Sequence, residues 1–245
     1  MNDKPSVLRE TDDEARKLAR ILLRSARHAA LAVIDPETGF PSASRALIGT
    51  DIDGVPVILV SALSAHTKAL TADPRASLLV GEPGKGDPLA HPRLGVQCVA
   101  ERVERESPGH QRTRARFLRR HPKASLYIDF PDFCFFRLQP RSASLNGGFG
   151  RAYVIPGEDF EISSPASEAI AAGAEAIIAD LQSHRLDIAG VISSRIKGHL
   201  AEDWRIIDVD AAGFDFLSGE KIHRFEFDQA IERLEYIDSY RSKLI

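Results

Sequence analysis

The sequence predicts a mainly β fold with an α+β tail: a closed or split antiparallel β-barrel over residues 1–155, then a small α+β domain over residues 163–245. Three observations carry that expectation. Six or seven short apolar runs bounded by Gly, Pro or Asp fall within the first 150 residues. Few helical stretches separate them, which argues against the alternating strands and helices of a parallel sheet. Past residue 155 the texture changes to an Ala-rich helical stretch followed by aromatic strands with Gly-containing turns.

The elements follow in order. Thr11-x-x-Glu14 has the form of a capping box, and Ala15, Leu18, Ala19, Leu22 and Leu23 repeat at helical spacing, so the chain opens on an amphipathic helix. The runs "AALAVI" (29–34), "SRALIG" (44–49) and "VPVILV" (55–60), with turns "DPETG" (35–39) and "DIDG" (51–54), read as a β-meander. A short helix over 65–72 must stop at Asp73-Pro74, because the residue before proline is pushed out of the helical region. A strand "RASLLVGE" (75–82), an eleven-residue loop "EPGKGDPLAHP" (82–92) and a strand "RLGVQCVAERV" (93–103) come next. Ser107 and Pro108 suit the N-cap and first helical position of "GHQRTRARFLRRH" (109–121). Two further strands are expected at "DFCFFRLQ" (132–139) and "SASLN" (142–146). The tail offers helices at "ASEAIAAGAEAIIADLQ" (166–182) and "DIAGVISSRI" (187–196). It continues with strands at "WRIIDVD" (204–210), "GFDFLSG" (213–219) and "KIHRFEF" (221–227), then a closing helix from about Asp228.

Composition narrows the function classes. With 245 residues and 43% hydrophobic content the chain can bury a sizeable core. A net charge of −3 gives no global positive field for nucleic acid or anionic lipid, so neither is an expected partner. Cys98 and Cys134 lie in separate segments without metal-site spacing, which fits two core thiols in a reducing cytoplasm. The start "MNDKPSVLRETDDEARK" has no apolar signal-like region, and no run reaches the roughly 18 apolar residues of a membrane span. A soluble cytoplasmic protein is expected. The eight histidines form no metal pattern, and neither a Ser-His-Asp order nor paired carboxylates emerge. No catalytic residue or metal ligand is therefore assigned, and any chemistry belongs to a cofactor that the protein orients and shields.

The stretch "SALSAHTK" (61–68) is the candidate site. It joins an apolar strand to a helix start, where unpaired N–H groups and the helix dipole favour an anion. Ser61, Ser64 and Thr67 add neutral donors and Lys68 a charged one. In the alternative, Ser64 or Thr67 caps the helix and Lys68 is solvated. Arg45 sits mid-strand in "SASRALIG", one turn before Ser61, so antiparallel pairing would bring its guanidinium beside Ser61 and Lys68.

The order "SRALIG…VILVSALSAHTKAL…DPRASLLV" resembles the flavin mononucleotide (FMN) site of the pyridoxamine 5'-phosphate oxidase-like split barrels. The resemblance implies that Arg45, Ser61, Thr67 and Lys68 hold the FMN phosphate at the interface of a homodimer, with Ser64 and His66 as neighbours. "LSAHTKAL", "GDPLAHPRLGV", "RFLRRHPKASLYIDFPDFCFFRL" and "LNGGFGRA", followed by a small α+β domain, are similar to the HugZ-like haem-utilisation branch and cover most of the chain. Where the oxidase proper grips pyridoxal phosphate with an arginine and a histidine, this chain reads "SASLNGGFGRA", so that oxidation is not implied. Haem-degrading members use a histidine near the C-terminus as iron ligand, whereas the last histidine here is His223, leaving His66 or a histidine of the tail as a substitute. The leading expectation is an FMN-dependent oxidoreductase. A haem-binding or haem-utilisation protein, with haem as the cofactor, and a non-enzymatic interaction module are the alternatives.

Other residues are weighed against structural roles. His184 and His199 are candidates for haem contact, and His223 is expected at an outward strand position. Arg112, Arg114, Arg116, Arg119 and Arg120 spread around their helix and read as a solvated face. "GGFG" (147–150) reads as close backbone packing, against the flavin ring or haem.

Overall fold

Period-two alternation of apolar residues builds the barrel. The computed structural model describes residues 8–148, 150–183 and 203–237. Helix α1 (Asp13–Ser25) precedes β1 (His28–Ile34), β2 (Pro41–Thr50) and β3 (Pro56–Ser61). Then come α2 (Ala65–Ala72), β4 (Arg75–Val80), β5 (Arg93–Arg102), α3 (Pro108–Arg120), β6 (Phe133–Asn146) and β7 (Ala152–Pro156). The antiparallel order β3-β2-β1-β4-β5-β6-β7, with β6 also pairing β3, closes six strands into a barrel and leaves β7 as an extra edge strand. Leu31, Val33, Ile48, Ile58, Leu78, Leu94, Val96, Phe136 and Leu138 fill the interior together with both thiol side chains, Cys98 and Cys134. Leu18, Leu22 and Leu23 of α1 pack on the same core.

β6 departs from expectation by running unbroken for 14 residues where two strands are expected. Its ladder with β5 slips between Gln97 and Cys98, whose partners are Ser142 and Pro140, so Arg141 is an extra, bulged residue. A bulge is where a strand tolerates proline, which has no N–H to give the ladder. The capping box also fails to form. Asp12 caps α1 instead, accepting from Ala15 N at 2.8 Å, while the Thr11 hydroxyl donates to Val154 O of β7 at 2.8 Å. The Ser107 cap of α3 is present, with His110 N donating to Ser107 Oγ at 3.1 Å.

A second layer covers the outside of β3 and β6, where Phe117 of α3 packs edge-on against Phe135 beside Val57, Leu59 and Ile128. The glycines of "GGFG" lie in the β6–β7 turn: Gly147 N donates to Arg151 O at 2.7 Å. Gly148 has φ +104°, and a Cβ there would meet Ala90 O at 3.0 Å, so its close backbone neighbour is the 82–92 loop.

Helix α4 (Ser167–Ser183) and strands β8 (Arg205–Asp210), β9 (Gly213–Ser218) and β10 (Lys221–Glu226) form the tail. The antiparallel sheet β10-β9-β8 has its own core of Ile170, Ala174, Trp204, Phe214, Phe216, Phe225 and Phe227, joined by Ile52 from the β2–β3 turn. The closing helix does not start at Asp228, and residues 228–235 run as bends and turns. Their backbone is used elsewhere: Ile231 N donates to Ala211 O at 2.7 Å and Ile231 O accepts from Ser164 Oγ at 2.6 Å. The helix expected over 187–196, His184 and His199 lie outside the described residues.

The arginines of α3 are not a solvated face. Arg112 pairs with Asp51 at 2.7 Å, Arg114 with Asp129 at 2.6 Å, Arg116 and Arg119 with Asp208 at 2.9 and 2.8 Å, and Arg120 with Asp215 at 3.3 Å. For Arg116, Arg119 and Arg120 the tail sheet supplies the reason, because it lies against α3 with Asp208 and Asp215 on its strands, whereas Arg112 meets the β2–β3 turn and Arg114 the segment before β6. Arg224 joins Asp210 at 2.5 Å and Asp215 at 3.1 Å, and Arg24 joins Glu226 at 3.4 Å. Four buried arginines (24, 116, 120 and 224) thus meet four buried acids (208, 210, 215 and 226). Equal numbers of opposite charges are what let such a cluster stay buried. Burial pushes the Asp208 carboxyl up, with Arg116 and Arg119 opposing. At Asp210 the same burial is outweighed by Arg224 and Arg24, and its carboxyl sits below the ordinary range. Among the described residues no helix is long and apolar enough to cross a membrane.

Candidate functional site on the barrel wall

β3 ends at Ser61, and the chain turns through residues 62–64 into α2, which buries Thr67, Ala69 and Leu70. One carbonyl organises the turn. Ser61 O accepts from Ser64 N at 3.0 Å, Ser64 Oγ at 2.8 Å and Thr67 Oγ1 at 2.7 Å. Ser64 occupies the N-cap position, yet its hydroxyl caps no helix N–H. The third hydroxyl is also committed: Ser61 Oγ donates to Asp132 Oδ2 at 2.6 Å, and Ala62 N to Asp132 O at 2.7 Å. All three hydroxyls therefore hold the turn together, and a carboxylate stands beside Ser61.

Arg45 lies on the outer side of β2, exposed, with Ala30 of β1 across the ladder. Continuing the β2–β3 register would set it opposite Ser61, but that ladder ends at Ile48 and Ile58. On its other edge β3 pairs with β6 from Val57 to Ser61, placing Ser61 opposite Phe133. Arg45 and Lys68 are both exposed and make no hydrogen bond or ion pair among the described residues. His66 is half-buried with Nδ1 3.2 Å from Ser44 Oγ, and burial lowers its pKa. So the structure gathers Ser61, Ser64 and Thr67, sets His66 on β2, and leaves Arg45 and Lys68 as free cations. Sequence reasoning missed Asp132. Its partner lies 71 positions away, and only the nonlocal β3–β6 pairing brings the two together.

The outer wall around Arg45 is low and partly apolar. Ala30, Ala32, Ala43, Ser77 and Gly95 point outward on neighbouring strands, with Leu47, Leu79 and Val154 exposed. One cavity of about 590 Å³ opens at the His28 and Leu47 end of this wall, and another of about 470 Å³ near Arg75, Gln97 and Arg141.

The family model described as "CREG, beta-barrel" matches residues 10–161. The chain is 29% identical over 179 residues to the chloroplastic haem oxygenase HOZ of Arabidopsis thaliana, which covers 72% of this chain and 54% of that protein. It thus spans about half the length of that relative. A protein of unknown function from Agrobacterium tumefaciens has a TM-score of 0.82 at 28% identity, covering 98% of this chain and 100% of that one. A haem-binding protein from Mycobacterium smegmatis has a TM-score of 0.56 at 26% identity, covering 98% and 96% of the two chains.

Proposed function

The chain belongs to the CREG β-barrel family, and on that footing we propose that it binds haem on the outer wall of its barrel and works in haem utilisation. The observation that carries this reading is its likeness to a haem oxygenase and, over almost the whole chain, to a haem-binding protein. The chemistry of the wall supports it. An iron porphyrin needs apolar surface for its ring, cations for its two carboxylates and a nitrogen for its metal. Exposed Leu47 and Leu79, Arg45 and the His28 imidazole on this wall meet those needs, and exposed Lys68 on α2 is a further cation without an ion pair among the described residues. When bound, haem supplies the oxygen chemistry, and the chain's part is to hold and shield it.

Flavin mononucleotide is the second reading. Arg45 and Lys68 suit a phosphate as well, but the hydroxyls of Ser61, Ser64 and Thr67 are turned inward, and Asp132 beside Ser61 repels a dianion. A homodimer belongs to the proposal too. A second copy laid on the small and apolar outer wall would bury Leu47, Leu79 and Val154, and sedimentation reads the resulting mass. The two buried free thiols suit a reducing cytoplasm.

Absorption spectra after adding ferric haem or flavin mononucleotide test the reading. We expect a saturable Soret band with haem and no retained flavin after desalting. Retained flavin with no Soret band would overturn it.

A further inference from the structure

The cavity of about 590 Å³ lies where the last turn of α1, the start of β1 and the β9–β10 hairpin meet. Its volume falls within the roughly 300–1,000 Å³ of small-molecule and cofactor sites. Leu22, Leu47 and Ile222 give it apolar walls, and two imidazoles, His28 and His223, line the same hollow. His28 opposes Leu47 across the β1–β2 ladder, and its Nε2 stands 3.5 Å from the Glu82 carboxylate. His223 is half-buried on β10, opposite Phe216, and makes no hydrogen bond or ion pair among the described residues.

A half-buried imidazole is normally oriented by a partner on at least one nitrogen. Among the described residues His223 has none, so both nitrogens are available to something that enters the cavity. Burial, with Lys221 adding to it, lowers the His223 pKa. The cations nearby differ in availability. Arg27 is tied to the Glu220 carboxylate, whereas Lys221 at the rim has no ion pair among the described residues. Arg45 is two residues from Leu47 on the same outer side of β2, which is about 7 Å at roughly 3.4 Å per residue. Apolar walls, a free nitrogen and cations at the edge describe a planar metal-centred ligand with acidic substituents.

Resting on the haem reading, we infer that this cavity would seat the porphyrin and that His223 would hold its iron through a ring nitrogen, with Arg45 as the nearby cation for a carboxylate. The inference adds the tail sheet to the binding site, since the iron ligand comes from β10 and the wall from the barrel.

Titration of the full chain with ferric haem, followed by the Soret band and by electron paramagnetic resonance, tests this in the wild type, His223→Ala, His223→Gln and His28→Ala. The wild type should show a nitrogen-ligated ferric spectrum. His223→Ala and His223→Gln should lose that signature and bind at least about tenfold more weakly, no less than the loss of a ligand's supporting partner costs. Free imidazole added to His223→Ala should restore the wild-type spectrum, which only a folded cavity can do. If His223→Ala keeps both affinity and spectrum, or if His28→Ala abolishes the signature instead, the assignment to His223 is overturned while haem binding stands. If the wild type gives no Soret complex at all, the haem reading falls and this inference with it.

Discussion

Arginine serves opposite ends in two regions of this molecule. On α3, Arg116 and Arg120 are buried and answered by Asp208 and Asp215 of the tail sheet, within a cluster of matched charges that joins the two parts of the chain. On the barrel wall, Arg45 stands exposed among small residues with no acidic partner among the described residues, and the same holds for Lys68 of α2. The arginine-rich helix is thus structural, and the sparse cations are the ones left for a ligand. The density of positive charge along the sequence is a poor guide to binding; what counts is whether the fold has already supplied the counter-charge.

Variants that unbalance the paired region should show the largest effects. Asp215 is fully buried between Arg120 and Arg224. Asp215→Ala should cost about 3–5 kcal/mol, the usual penalty for stranding buried charge, read as a fall in urea midpoint. A loss below about 1 kcal/mol would mean that the cluster does not hold the tail to the barrel.

The next effect is pH-dependent and concerns His121 at the end of α3. Burial lowers its pKa to about 4, against a partly compensating hydrogen bond to Ile48 O at 2.8 Å. The unfolded chain takes up this proton near the ordinary value of about 6.5 while the folded chain does not. Stability should therefore fall as pH drops from about 6.5 toward 4, by about 1.4 kcal/mol per pH unit and about 3 kcal/mol in all. Asp208 works the other way, because its raised carboxyl gains stability on protonation. The informative quantity is thus the difference between wild type and His121→Gln at pH 7 and at pH 4.5. Identical pH slopes for the two proteins would remove His121 from the account.

On the wall, effects on stability should shrink. Ser61→Ala removes the hydroxyl bond to Asp132 and should cost about 1.5–3 kcal/mol for a charged acceptor. Denaturation reads that cost. An unchanged midpoint would show that the turn stands without it. Arg45→Ala and Lys68→Ala should stay within about 0.5 kcal/mol of wild type, as surface substitutions without partners do. A larger loss would mean that these cations are structural after all.

The parts legible in the sequence were those with local signals. The helix expected over 65–72 forms as Ala65–Ala72 because a proline follows it, and Ser107 caps α3 because the N–H it accepts from lies three residues on. Signals that depend on distant partners were misread. Thr11 abandons its capping box for a carbonyl 143 positions away, and the bulge that carries β6 through Pro140 exists only against β5. Arg116, Arg119 and Arg120 looked solvated because their acids lie about ninety positions downstream. For the site, Arg45 and Lys68 were singled out by residue type, which suits a phosphate and a carboxylate equally. What separates those anions is the commitment of three hydroxyls and the presence of Asp132; Ser64 and Thr67 bond locally to Ser61 O, whereas Asp132 reaches Ser61 only through tertiary pairing.

The most direct test of the central claim is a ferric haem titration of the Arg45→Ala/Lys68→Ala double variant beside Arg114→Ala, an α3 arginine that is already paired. Each charge-assisted hydrogen bond to a carboxylate is worth about 1.5–3 kcal/mol, and about 1.4 kcal/mol is one decade of affinity. The double variant should therefore bind haem at least about tenfold more weakly at unchanged stability, while Arg114→Ala binds as wild type does. Wild-type haem affinity in the double variant, or an equal loss in Arg114→Ala, would contradict the assignment of ligand binding to the free cations of the barrel wall.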